Sequence, residues 1–213
     1  MNSNQVMQVA PVIPVMIIDD ADTAVPLADA LVSGGLRVLE ITLRTDAAMD
    51  AMRAIIAEVP DAIVGAGTVL KAQQLEAVHR LGCKFAVSPG FTDRLLDAAD
   101  TIPCPLLPGA SSASEVMQLL ARGYDRQKFF PAEPAGGVPF LKSLNSPLPE
   151  VKFCPTGGIS ISNAKDYLRL PNVLCVGGSW VAPAKAVAEG AWSEIVRLAQ
   201  GAAELNDDRG PTP

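Results

Sequence analysis

Histidine is almost missing from this chain: among 213 residues, His79 is the only one. A single imidazole offers no cluster of ligands to a metal ion and is the sole possible histidine partner for a serine or cysteine nucleophile. Proton transfer therefore falls mainly to carboxylates, lysines and tyrosines. Cysteine is also sparse. Cys83, Cys104, Cys154 and Cys175 never come closer than 21 positions, so no C-x-x-C pair or zinc spacing exists. All four lie in or beside apolar segments and read as reduced core thiols rather than reactive ones. An excess of positive charge is missing too. With 17 Lys and Arg against 23 Asp and Glu the net charge is −6, the wrong footprint for a nucleic acid or an anionic membrane surface. The longest apolar runs, such as 12–18, fall well short of the roughly 18 residues of a membrane span. Residues 1–8 lack the basic start of a secretory signal, and the chain reads as cytoplasmic.

What is present is a regular alternation. With 49% hydrophobic and 19% charged residues, the chain is globular and buries roughly 70% of its unfolded surface. Apolar runs of strand length at 12–18, 37–43, 62–67, 84–88, 105–108, 128–131, 152–155 and 173–177 alternate with amphipathic stretches at 24–33, 46–59, 72–81, 93–99, 113–122, 138–144, 162–170 and 192–205. Eight βα units at about 25 residues each fit the lower size range of an α/β (β/α)8 TIM barrel. An open doubly wound sheet is the structural rival. No linker divides the chain, which predicts one domain over 1–205 and a flexible tail over 206–213.

Most strand candidates end in the same punctuation: Gly65-Ala66-Gly67-Thr68, Ser88-Pro89-Gly90, Pro108-Gly109-Ala110, Pro131-Ala132-Glu133, Thr156-Gly157-Gly158 and Gly177-Gly178-Ser179. These residues are expected to stop each strand and turn the chain. Parallel strands gather such loops at the carboxyl end of the sheet, where α/β folds keep their chemistry. Gly34-Gly35 follows a helix instead and reads as a C-cap.

An ionisable residue inside a strand must offset several kcal/mol of desolvation by pairing or by function. Glu40 is such a residue, and alternation puts it on one face with Thr42 and Arg44 while Leu39, Ile41 and Leu43 share the other. The apolar face packs on helices, so the polar triplet points into the barrel with Arg44 nearest the mouth. A structural Glu40–Arg44 ion pair is the alternative. Lys84, Lys128 and Lys152 each open a strand candidate beside phenylalanine. A lysine there is usually solvated at the bottom face, but an amine desolvated among aromatic rings is freed to attack a carbonyl. Periodicity does not choose among the three. Lys128 on the sixth strand and Glu40 on the second lie opposite each other in a barrel of roughly 15 Å diameter. Their extended side chains leave a gap of about 4 to 5 Å for a substrate or a water. The backbone N–H groups of Gly157-Gly158 and Gly178-Ser179 suit a phosphate, which in an acidic protein must be attracted by local dipoles.

Six blocks carry a resemblance: Val38-Leu39-Glu40-Ile41-Thr42-Leu43-Arg44-Thr45, Val64-Gly65-Ala66-Gly67-Thr68-Val69, Ser88-Pro89-Gly90, Lys128-Phe129-Phe130-Pro131-Ala132-Glu133, Phe153-Cys154-Pro155-Thr156-Gly157-Gly158-Ile159 and Gly177-Gly178-Ser179-Trp180. In order and spacing they resemble the family of 2-keto-3-deoxy-6-phosphogluconate (KDPG) aldolase and 4-hydroxy-2-oxoglutarate aldolase, from about residue 11 to 205. The resemblance implies a class I, metal-free aldolase on a (β/α)8 barrel, usually a homotrimer, in the Entner–Doudoroff route, with no cofactor beyond a Schiff base. Pyruvate and a phosphorylated sugar acid are the implied small-molecule partners. It makes Lys128 the Schiff-base lysine and Glu40 the general acid/base. Arg44 and Thr68 match the carboxylate site of the pyruvyl moiety, Thr156 lines the same pocket, Pro89 and Phe130 match its walls, and Gly157, Gly158 and Ser179 match the phosphate site. The choice of Lys128 over Lys84 and Lys152 rests on the resemblance alone.

The implied reaction is cleavage of 2-dehydro-3-deoxy-6-phosphogluconate to pyruvate and glyceraldehyde 3-phosphate. A 4-hydroxy-2-oxoglutarate aldolase, releasing glyoxylate, or dual activity is the alternative. A phosphosugar epimerase and a non-catalytic phosphosugar-binding barrel are more remote. Two departures from the family pattern stand out. Only ten residues precede Pro11, so the helix that commonly plugs the barrel floor looks shortened and floor closure is in doubt. Ser112 stands where a threonine is common, a change that keeps the hydroxyl.

Overall fold

The computed structural model describes residues 1–206. All but the first residue of the expected tail, 206–213, lies outside the described residues. Nine strand segments run through them: β1 (Val12–Met16), β2 (Val38–Thr42), β3 (Ile63–Gly67), β4 (Phe85–Val87), β5 (Leu106–Leu107), β6 (Gly109–Ala110), β7 (Arg126–Phe129), β8 (Lys152–Pro155) and β9 (Val176–Gly178). The helices are α1 (Ser3–Gln8), α2 (Ala24–Ser33), α3 (Ala48–Glu58), α4 (Ala72–Leu81), α5 (Asp93–Ala99), α6 (Ala113–Ala121), α7 (Gly137–Leu144), α8 (Ala164–Leu168), α9 (Ala184–Ala188) and α10 (Trp192–Ala203).

All strand pairs are parallel, in the order β5-β4-β3-β2-β1-β9 and β6-β7-β8. The two series are halves of one ring. Pro108 has no N–H to donate and divides one strand position into β5, which pairs with β4, and β6, which pairs with β7. On the opposite side, bridges Phe153↔Val173 and Thr156↔Gly177 connect β8 to β9. Eight strand positions thus close into the expected α/β barrel, and the open-sheet alternative is excluded.

Two apolar layers result from strand alternation. Leu39 and Ile41 of β2, Val64 and Ala66 of β3 and Phe129 of β7 belong to the outer layer, packed beneath the helices. Ile13, Val38, Phe85, Val87, Leu107, Cys154 and Cys175 face inward and form a separate interior cluster. Val6 and Met7 of α1 belong to that inner cluster. The short floor helix therefore does close the barrel. Its start is fixed by a capping box, with the Asn2 side chain accepting from the Gln5 N–H and the Gln5 side chain accepting from the Asn2 N–H. Ser3 Oγ donates to the Leu106 carbonyl (3.3 Å) and Arg126 Nε to Asn4 Oδ1 (2.7 Å), which ties α1 to the bottom of β5 and β7.

Several boundaries shift from expectation, and β7 matters most. It begins at Arg126 rather than Lys128. The two polar residues at its start are satisfied by their surroundings: Gln127 Nε2 donates to the carbonyls of Val116 (3.1 Å) and Tyr124 (2.8 Å), and Arg126 reaches α1. Lys128 is consequently the third residue of its strand, inside the barrel rather than at its bottom edge. Gly65 and Gly67 lie within β3, and Gly177 and Gly178 within β9. Gly67 and Gly178 are the last residues of their strands, as expected, while Gly65 and Gly177 lie inside them for reasons of space.

Candidate active site

Side chains at positions 38 and 40 of β2 leave its inward face. Val38 joins the interior cluster, and the Glu40 carboxylate comes next toward the carboxyl end, with 5% of its side chain exposed. Lys128 enters from the opposite side of the ring, its side chain 7% exposed, and its Nζ donates to Glu40 Oε1 at 3.2 Å. The gap of 4 to 5 Å expected between them is closed in this state. Glu40 has Lys128 rather than Arg44 as its ionic partner, and Arg44 sits exposed in the turn after β2. A charged pair at this depth is held in a surrounding of low dielectric, where its mutual attraction is strong but desolvation is costly. The Phe130 ring, 5.3 Å from Lys128 Nζ, adds the negative face of an aromatic to the amine's environment.

Gly67 provides the space for the carboxylate. A Cβ at that position would lie 2.3 Å from Glu40 Oε1 and 2.8 Å from its Cγ. Gly177 does the same for the far wall, where a Cβ would meet Thr156 Oγ1 at 2.2 Å. The glycines of these two strands are interior spacers for side chains on the neighbouring strand. Reading them as turn residues missed this role. The available signal was that Gly67 lies at the register position next to Thr42, one pleat beyond Glu40.

The remaining candidates cluster at the carboxyl ends of the strands. Thr68 follows β3, half-buried, with φ +59°. That is left-handed backbone for a β-branched residue, a genuine outlier of the kind that gathers at functional sites. Pro89 follows β4 and Phe130 follows β7, both half-buried. Thr156 follows β8, 6% exposed, with its hydroxyl 4.0 Å from Cys154 Sγ. Gly157 is half-buried, and Gly158 and Ser179 are exposed at the mouth. Direct contacts join Lys128, Glu40 and Phe130; the others are gathered by the topology around the same rim. Among the three lysines only Lys128 is interior. Lys84 is exposed before β4, and Lys152 Nζ donates to the Pro171 carbonyl (3.0 Å). Among the described residues no group of three or more His, Cys, Asp or Glu side chains is gathered as for a metal ion, and no helix is long and apolar enough to cross a membrane.

Chemically, a buried amine and a carboxylate in contact inside a barrel can perform nucleophilic attack and proton shuttling on one small carbonyl compound. Comparison with known proteins identifies the family. The family model described as "Aldolase: KDPG and KHG aldolase" matches residues 3–198. The 2-dehydro-3-deoxy-phosphogluconate aldolase of Pseudoalteromonas atlantica is 54% identical over 201 residues, 94% of each chain. A KDPG aldolase from Legionella pneumophila, solved with pyruvate captured at low pH as a covalent carbinolamine intermediate, superposes with a TM-score of 0.94 at 47% identity, covering 95% of this chain and 98% of that one. The 2-keto-3-deoxy-6-phosphogluconate aldolase of Zymomonas mobilis ZM4, solved with 3-phosphoglycerate, gives a TM-score of 0.90 at 50% identity, covering 95% of both.

Proposed function

This chain belongs to the KDPG and KHG aldolase family and is an aldolase, a carbon–carbon lyase; from that premise we propose that it cleaves 2-dehydro-3-deoxy-6-phosphogluconate to pyruvate and glyceraldehyde 3-phosphate through an imine on Lys128. The observation that carries the reading is the contact of Lys128 Nζ with the Glu40 carboxylate inside a barrel whose floor is closed. The relative captured with a pyruvate carbinolamine supports the same covalent route.

The steps follow from the two groups. Glu40 is placed to take a proton from Lys128, freeing the amine to attack the C2 ketone. Glu40 gives that proton to the carbinolamine hydroxyl, which leaves as water, so that the carboxylate is regenerated and a protonated imine, the electron sink, remains. Glu40 removes the C4 hydroxyl proton, the C3–C4 bond breaks, and glyceraldehyde 3-phosphate departs as the electron pair settles in an enamine. Glu40 returns its proton to C3, and hydrolysis of the imine releases pyruvate and the amine. Arg44 and Thr68 are assigned to the carboxylate of the pyruvyl end, with Thr156, Pro89 and Phe130 as pocket walls. Gly157, Gly158 and Ser179 are assigned to the phosphate, where backbone N–H groups offset the repulsion of a net charge of −6. A homotrimer, cytoplasmic residence and a place in the Entner–Doudoroff route complete the reading that the family resemblance supports.

Borohydride reduction in the presence of pyruvate, followed by peptide mapping, tests the assignment. A reduced pyruvyl adduct on Lys128 is the expected result. An unmodified protein would instead favour an epimerase or a binding barrel, and an adduct on another lysine would overturn the choice of nucleophile.

A further inference from the structure

The loop that follows β8 is held by the loop that follows β7. The Ala132 N–H donates to the Thr156 carbonyl (2.8 Å) and the Glu133 N–H to the Gly157 carbonyl (3.1 Å), while Asn163 Nδ2 donates to the Gly158 carbonyl (3.1 Å). Three consecutive carbonyls are thereby engaged from outside the loop. The N–H of Gly157 faces the Gly177 carbonyl in the bridge between β8 and β9, whereas the N–H groups of Gly158 and Ile159 have no internal acceptor among the described residues. Both glycines have positive φ, +100° and +80°.

Glu133 does more than lend its N–H. Its Cβ and Cγ fill the space that a side chain at Gly158 would need, at 2.8 and 2.6 Å from an added Cβ. Its Oε1 accepts a hydrogen bond from the hydroxyl of Tyr167 on α8, a residue whose ring is fully buried. Burial first, and the carboxylate second, raise the Tyr167 hydroxyl above its ordinary range, so it stays a donor. Glu133 itself is exposed. A carboxylate beside free loop N–H groups has two options: to accept from them, or to be restrained elsewhere. Here Tyr167 restrains it.

We infer that Glu133 and Tyr167 are positioning residues for the phosphate end of the substrate: the tyrosine holds the carboxylate off the Gly157-Gly158-Ile159 loop, leaving the N–H groups of Gly158 and Ile159 to an incoming phosphate. The inference rests on the proposed phosphorylated substrate. Neither residue touches the reacting carbons, so the pair sets discrimination between phosphorylated and unphosphorylated substrates without altering the chemical step. Glu133 closes the block that begins at Lys128, and Tyr167 carries no local motif.

The test compares 2-dehydro-3-deoxy-6-phosphogluconate with 4-hydroxy-2-oxoglutarate in Tyr167→Phe. The KM for the phosphorylated substrate should rise about fivefold, the weight of one ordinary hydrogen bond. Its kcat, and both constants for the unphosphorylated substrate, should stay within about twofold by the same measure. Inorganic phosphate should lose potency as a competitive inhibitor by the factor seen in KM. Glu133→Gln, which keeps an acceptor for Tyr167 but removes the charge, should hold the wild-type KM or lower it. Glu133→Ala removes both the acceptor for Tyr167 and the atoms packed on Gly158, should raise the KM for the phosphorylated substrate alone, and serves if Tyr167→Phe does not fold: a wild-type ratio of the two KM values in Glu133→Ala would overturn the inference. So would an equal loss on both substrates in Tyr167→Phe. If wild-type enzyme forms the pyruvate adduct on Lys128 but ignores the substrate phosphate, the phosphate assignment fails; if no adduct forms, the aldolase mechanism itself fails.

Discussion

The hydrogen atom that serves as the Gly67 side chain faces the carboxylate of Glu40, and no larger group fits between them: an added Cβ would lie 2.3 Å from Oε1. Gly67→Ala is therefore expected to displace Glu40, the proposed general acid/base, while leaving Lys128 in place. Misplacement of a catalytic group by about 1 Å costs on the order of 10²-fold. Steady-state cleavage should fall by about that factor, with pyruvate-dependent reduction of Lys128 retained.

Removing the charge without moving the backbone separates the two groups differently. Glu40→Gln should lower turnover by about 10² to 10⁴-fold, the usual weight of a general acid/base. Imine formation with pyruvate, read as borohydride-dependent mass increase, should slow but persist. Lys128→Met should abolish both.

Thr68 holds a left-handed backbone at a cost of about 1 to 2 kcal/mol for a residue with a Cβ. Thr68→Gly relieves that strain but widens the unfolded ensemble. The net expectation is a stability gain of up to about 1 kcal/mol in urea denaturation, together with a higher KM for pyruvate-containing substrates. A loss of stability would show that the threonine side chain holds the turn.

The α6 terminus ties a conservative sequence departure to pH. Ser112 caps the helix, its Oγ accepting from the Glu115 N–H (3.3 Å), and Glu115 Oε2 accepts from the N–H groups of Ser111 (2.8 Å) and Ser112 (2.9 Å). These bonds, the one from Ser111 first, hold the Glu115 carboxyl below its ordinary range. A depressed carboxyl stabilises the fold above its unfolded pKa, and that contribution is lost as the pH falls through the folded value. Ser112→Ala should cost about 1 kcal/mol. Glu115→Gln should flatten the acid limb of a stability–pH curve, because the variant has no proton to take up there.

Thiol chemistry should be silent in the native state at two sites. Burial pushes the Cys83 thiol up to about 12 and the Cys104 thiol up to about 11. Iodoacetamide at pH 8 should leave both unmodified until the protein is unfolded, as read by peptide mass; rapid native labelling of either would contradict the burial.

The strand–helix alternation was legible because the barrel has two apolar layers, so each β segment reads as a short unbroken apolar run. Glu40 was legible for the complementary reason, as a charge between Leu39 and Ile41 that had to face inward. Lys128 was not. Three lysines preceded phenylalanines, and only tertiary packing separates them: Gln127 and Arg126 find partners on α6 and α1, which carries the strand two residues further back and Lys128 into the interior. The spacer roles of Gly67 and Gly177 were illegible for a similar reason, since each is defined by a side chain on an adjacent strand.

The stopper at the base has a consequence for biogenesis. Val6 and Met7 precede every strand, yet the chamber they seal is completed only when β9 docks beside β1, more than 150 residues later in the chain. During vectorial synthesis, which delivers amino-terminal segments first, Lys128 and Glu40 are translated into a wet, half-built cup. The vessel drains only once its last stave is in place.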